Sequence, residues 1–440
     1  MTVPDGALTA ARLTPHKTRT GALVLLVLTS ALLLMDTSLI SLLIEPMRRD
    51  LAFSDAELGL LQGAFPTIAY AVCALPIGLL VDRFNRVRMI LVALVVWTVA
   101  LLLIMIAPGF WLLAVAKILI GCVQAVLITA PFSLAADLTE RRRRSIAVSA
   151  LVIGQAMGGA LGFVLGGVVF TAMSTVVDTE PWRYTMLVFA AAGLLLIPFF
   201  LRMREPARSE TGGGTHSARA LFAELGRHVR VLWPLFVGCA FAQVGASLLQ
   251  AWAAPVLLRR YGLSELSVGN MVGLVMFAGG IVGAVLAGWI IELLRRRGRR
   301  GALSMGIAAV LLGVAGAMAL MPTGGGAVAV FGAGIAANAF IGTALPAFLM
   351  LYLPNELRGL AGGALILFGV GPGAAVGPSA VAFVAGLLPG GSALSLAEAM
   401  AITGVVTGLV AFVFFALLAR FTRTHPEPVA EAAVQAGTIA

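Results

Sequence analysis

From Gly21 to Ala419 the chain is a succession of long apolar runs, broken by short stretches rich in arginine, glycine and proline. A helix needs about 20 apolar residues to cross a bilayer. Inside lipid, only helices and closed barrels satisfy their own backbone hydrogen bonds. The runs lie at 21–44, 57–80, 89–107, 110–136, 145–172, 184–201, 231–258, 266–291, 301–321, 327–353, 359–387 and 395–419. Three of the breaks are turn chemistry rather than charge: Ala107-Pro108-Gly109, Pro322-Thr323-Gly324-Gly325-Gly326 and Leu388-Pro389-Gly390-Gly391. The 440 residues are 60% hydrophobic and 11% charged, against about 25% charged in soluble domains. The expected fold is an all-α integral membrane protein of twelve transmembrane helices.

Charge gives the orientation. The tails and the even-to-odd loops hold twenty-four lysines and arginines, the opposite loops five. The positive-inside rule then puts both termini in the cytoplasm of a cell (inner) membrane protein. Arg12, Lys17 and Arg19 precede the first run, but its length and Asp36 mark a retained helix rather than a signal peptide. Trp182-Arg183 reads as an anchor at the outer interface.

Several function classes drop out. The net charge of +10 comes from short basic clusters between spans, which is topogenic and no nucleic-acid surface. Cys73, Cys122 and Cys239 show no paired spacing and read as small core residues. His16, His216, His228 and His425 fall in tails or the mid-chain linker, so no metal centre and no cofactor are expected. A membrane enzyme would cluster His, Asp or Cys at one face, and a sensor would need an output domain; neither pattern is present. The glycines of the fifth run, Gly158 and Gly162 among them, have small-xxx-small packing spacing rather than a phosphate loop.

The widest gap divides the chain into a tail (1–20), six spans (21–201), a linker (202–230), six more spans (231–419) and a second tail (420–440). Leu221, Phe222, Leu225, Val229 and Leu232 recur at helical spacing, which predicts a short amphipathic helix at the membrane surface. The halves repeat: Ser54, Gly59, Gly78 and Asp82 match Ser264, Gly269, Gly288 and Glu292 at a constant offset. Parallel repeats with a site between them belong to transporters.

Gly78-Leu79-Leu80-Val81-Asp82-Arg83-Phe84-Asn85-Arg86 joins the second and third spans, with an echo ending in Glu292. It resembles the loop motif of the major facilitator superfamily. Phe53-Ser54-Asp55-Ala56-Glu57-Leu58-Gly59-Leu60-Leu61-Gln62 and Leu353-Pro354-Asn355-Glu356-Leu357-Arg358 resemble its Spinster-like branch. The resemblance implies two six-helix bundles related by a pseudo-two-fold axis, alternating access, and a cavity lined by helices 1, 4, 7 and 10. It also implies a monomer, amphipathic lipid-like cargo of the lysolipid or sphingolipid kind, and a gate in which Gly78, Asp82, Arg83, Arg86, Arg143 and Glu292 take part. The chain departs from that branch at Thr37, where Arg is usual, at Lys117, another Arg position, and at Gln124, where Glu is usual. Glutamine does not titrate, so Asp36 is left as the sole acid of the usual pair.

Charges within spans mark ion or substrate paths. Asp36 and Lys117 fall at similar depths of the outer half, so an ion pair between them is expected. Gln124 follows Lys117 by seven residues, on the same helix face. Gln243, Gln250 and Asn338 place polar groups in helices 7 and 10. These residues make up the candidate substrate and proton site. The reading is a secondary transporter of an amphipathic organic solute, with protons acting through Asp36. Efflux of hydrophobic cations and uncoupled facilitation are the alternatives. Membrane lipids and a small-molecule substrate are the expected partners.

Overall fold

A computed structural model of the chain describes residues 16–140, 143–206, 224–296, 301–353, 355–388 and 392–423; a few side chains within helices, Asp82 among them, fall outside the description. The helices are α1 (His16–Leu51), α2 (Asp55–Gly59, a π-helical turn Leu60–Ala64, then Phe65–Arg83), α3 (Arg86–Ile106), α4 (Phe110–Leu138), α5 (Arg144–Val176) and α6 (Pro181–Arg202). In the second half they are α7 (Val229–Tyr261), α8 (Glu265–Arg296), α9 (Ala302–Val314, tightening to 3-10 geometry over Ala315–Leu320), α10 (Gly324–Tyr352), α11 (Asn355–Leu365, a π-helical turn Ile366–Val370, then Gly371–Leu387) and α12 (Ser392–Arg423). Among the described residues eleven are long and apolar enough to cross a membrane, and α2, which like α11 contains a π-helical turn, makes the twelfth. Leu221 and Phe222 of the predicted linker helix lie outside the described residues, residues 224–227 are helical, and Val229 and Leu232 follow a turn at His228. They open α7 itself.

Local chemistry sets the helix ends. Ser54 and Glu57 form a reciprocal capping box at the start of α2. The Asn85 side chain accepts from the Arg88 N–H at the start of α3, and Thr323 caps α10 by accepting from the Gly326 N–H. Gly262, at φ +61, ends α7 in the left-handed conformation that glycine adopts freely.

The internal repeat has a structural counterpart. Ser264 caps α8 through the Ser267 N–H as Ser54 caps α2. A Cβ at Gly59 would lie 3.0 Å from the Pro378 carbonyl of α11, and one at Gly269 would land on the Phe163 carbonyl of α5. Each glycine therefore closes one seam between the halves, α2 on α11 and α8 on α5. Within the first half, Gly158 and Gly162 bring α5 onto the α1 backbone at Ala31 and Met35. Such contacts replace the hydrophobic driving force that lipid does not supply.

The two ends of the molecule differ. At the end opposite the termini, here the far end, the seams are tight around Gly59, Gly63, Gly167 and Gly269. At the termini end, a Cβ at Gly78, Gly288 or Gly362 would meet open space. No neighbouring helix closes on Gly78 in this conformation, and the halves part there. Trp182 is also not an interfacial anchor. It is fully buried, its Nε1 donates to Asp50 (2.7 Å), and the Arg183 guanidinium lies 4.3 Å over its ring.

Candidate functional site

Where the parted halves meet the far-end seal they enclose a cavity of about 130 Å³. Its polar wall is Thr37 and Ser41 of α1, Gln62 and Thr67 of α2, Lys117 and Gln124 of α4, and Ser247 and Gln250 of α7. Ile40, Pro66, Ala251, Ala374 and Pro378 complete it. Lys117 is the one charged side chain among these residues, and no carboxylate is present. Two of the hydroxyls are spent on backbone: Ser41 donates to the Gln250 carbonyl (2.6 Å) across the halves, and Ser247 to the Gly373 carbonyl (3.2 Å).

The structure gathers Thr37, Lys117, Gln124 and Gln250 of the sequence-derived set. It leaves Asp36, Gln243 and Asn338 out of the wall. The expected Asp36–Lys117 ion pair is not formed: neither carboxylate oxygen of Asp36 has a hydrogen-bond partner. Both residues are nonetheless buried, at 2% and 6% exposure. α1 also runs to Leu51 rather than 44.

Sequence reasoning missed the far-end seal. Arg259 of α7 donates to Glu45 of α1 through Nε and pairs with Asp55 of α2 through Nη1 (2.8 Å). Glu45 also holds Arg48 (3.1 Å) and Arg49 (3.6 Å) on its own helix. Arg259 is one of the five basic residues of the opposite loops, and its partners lie some two hundred residues away in the chain.

At the termini end the loop-motif residues are dispersed. Arg86 is buried and pairs within its own half, through Nη1 with Asp137 and through Nε with Glu205 (2.7 Å), and so is not in an inter-half gate here. Glu205 also accepts from the Val87 N–H. Arg83 and Arg143 are exposed. Glu292 accepts from Arg296 one turn on. Asp82 closes α2, its side chain outside the description. The cysteines hold a further difference: Cys73 of α2 and Cys122 of α4 are free thiols with their Sγ atoms 3.2 Å apart, although nothing in their spacing pairs them.

Known proteins share this architecture. A Gallate transporter of Pseudomonas putida is 26% identical over 416 residues, 86% of each chain. Protein spinster homolog 3 of Danio rerio is 30% identical over 165 residues, which are 36% of this chain and 32% of that one. The crystal structure of a bacterial homolog to the human lysosomal transporter Spinster, inward-facing and unoccupied, superposes with a TM-score of 0.77 at 20% identity, covering 95% of this chain and 99% of that one. The Major Facilitator Superfamily profile matches residues 26–378. With that match over most of its length, the chain belongs to the Major Facilitator Superfamily and is a multi-pass membrane transporter.

Proposed function

We propose that the chain carries an amphipathic organic acid by alternating access, with Lys117 holding the acidic group and Asp36 responding to protons. The observation that carries this reading is the charge of the cavity wall: one ammonium and no carboxylate. A wall of that sign selects an anion. The cavity volume, about 130 Å³, is small beside the roughly 300–1,000 Å³ of sites that enclose a whole drug-sized ligand. It suits a headgroup, with the apolar remainder of a lipid-like or aromatic acid extending toward the parted termini end. With the termini placed inside by the arginine distribution, the conformation is open to the cytoplasm and closed outside.

Asp36 sits in α1 beside Thr37, which shares the cavity wall with Lys117. A proton on Asp36 removes a counter-charge from Lys117 and leaves its ammonium for the substrate. Hydrophobic-cation efflux, which would require Asp36 to dominate the cavity, is disfavoured by the absence of Asp36 from the wall. The test is uptake into proteoliposomes across an imposed pH gradient, with gallate and 1-oleoyl-lysophosphatidate as probes. Lys117→Met should abolish acid binding, and Asp36→Asn should abolish the pH dependence while binding persists. Unchanged transport and pH response in both variants refutes the reading.

A further inference from the structure

We infer that Gln62 is a substrate-binding residue that shares one acidic group with Lys117, so that α2 and α4 together form an oxyanion subsite. This rests on the reading above and adds a second donor to it. Gln62 lies within the π-helical turn Leu60–Ala64, a geometry that recurs at functional sites because it redirects a side chain out of the regular helical register. On either side of it, Gly59 and Gly63 press against Pro378 and Ala375 of α11. The turn is therefore both seam and cavity wall, and Gln62 shares that wall with Lys117.

The Nε2 atom of Gln62 is buried and has no acceptor. Buried polar atoms are nearly always paired in native proteins, so an orphan donor on a side chain that lines a cavity points to an acceptor from outside the chain. The wall supplies none with charge: it holds no carboxylate, and the Ser41 and Ser247 hydroxyls are committed to the Gln250 and Gly373 carbonyls. An ammonium and an amide N–H in one small cavity match a group with two acceptor oxygens. Carboxylates and phosphates share that chemistry, and a neutral amide or alcohol lacks it.

The experiment uses the purified full chain in lipid nanodiscs. Binding of gallate (carboxylate) and of 1-oleoyl-lysophosphatidate (phosphate) is titrated against the uncharged gallamide and monooleoylglycerol, in wild type, Gln62→Leu and Lys117→Met. Whichever acid binds wild type identifies the headgroup. Gln62→Leu should weaken that acid by roughly 10- to 100-fold, the worth of a hydrogen bond to a charged group, and leave the uncharged counterpart unchanged. Without ligand, Gln62→Leu should melt at or above the wild-type temperature, because an unpaired donor has been removed. A clear drop in that melting temperature shows Gln62 to be structural and overturns the inference. So does unchanged acid affinity in Gln62→Leu while Lys117→Met abolishes binding. Full acid affinity in Lys117→Met, or no acid binding by wild type, instead refutes the underlying reading and this one with it.

Discussion

Replacing Arg259 by Gln should open the far end. The seal is ionic and nearly dry: side-chain exposure is 6% for Arg259, 1% for Glu45 and 21% for Asp55. Removing one partner of a buried charge pair costs ~3–5 kcal/mol, because the other charge is left uncompensated. Two features put this case at the lower bound. Glu45 keeps Arg48 and Arg49 as partners on its own helix, and Asp55 reaches solvent. A loss of about 3 kcal/mol, felt only while the halves are joined there, shifts the balance roughly 150-fold toward the far-end-open state. Electron-electron distance measurements with nitroxides at Thr179→Cys and Pro322→Cys, with the three native cysteines replaced, read that opening. Thr179 lies between α5 and α6, Pro322 between α9 and α10, and both are exposed. Arg259→Gln should add a long-distance population. Arg49→Gln should add none, because Arg49 is 56% exposed and pairs only within α1. Identical distance distributions for wild type and Arg259→Gln, or an equal shift from Arg49→Gln, refutes the argument.

Two further substitutions test the packing. Gly158→Val should destabilise the protein in thermal unfolding by about 1–3 kcal/mol, the cost of overpacking, since even a Cβ there would fall on the rigid Ala31 backbone; Gly280→Ala, into open space, should leave the midpoint within error, and equal midpoints would contradict the α1–α5 contact. Arg86→Met should lower the midpoint more than Glu205→Gln, because the first leaves Asp137 and Glu205 facing each other without their shared cation while the second leaves the Asp137 pair in place; the reverse order would show that the Arg86 cluster is not held by charge.

Much of the fold was legible because lipid imposes it. A bilayer fixes helix length, so apolar runs and turn chemistry located the twelve helices, and the Gly158–Gly162 spacing marked a seam that the structure places on Ala31 and Met35. The site was less legible for reasons of register. Span ends read from hydropathy stop where charge begins, yet α1 continues through Glu45, Arg48 and Arg49 to Leu51. Gln62 was hidden by a different register change, since the extra residue of a π-helical turn leaves no trace in a 3.6-residue pattern. Arg259 was hidden by distance along the chain: nothing near it in sequence points to Glu45 and Asp55, which the fold brings to it.

On the proposed function, the absence of Asp36 from the cavity wall bears on how cargo is chosen. Had the acid and amine formed an ion pair in the wall, the site would have been nearly neutral and a cation or an anion would have met similar electrostatics. With Lys117 alone there, the two are treated oppositely. A unit charge about 4 Å from the ammonium gains or loses roughly 4 kcal/mol at an effective dielectric of about 20. The difference between an acid and a cation of the same shape is then far larger than the ~1–3 kcal/mol by which a pocket discriminates a single methylene. Substrate sign is therefore set more firmly by this wall than substrate shape. On the proposed reading, related acids with different apolar remainders should be admitted by one site, while an amine of matching shape should be refused at the headgroup however well its tail would pack.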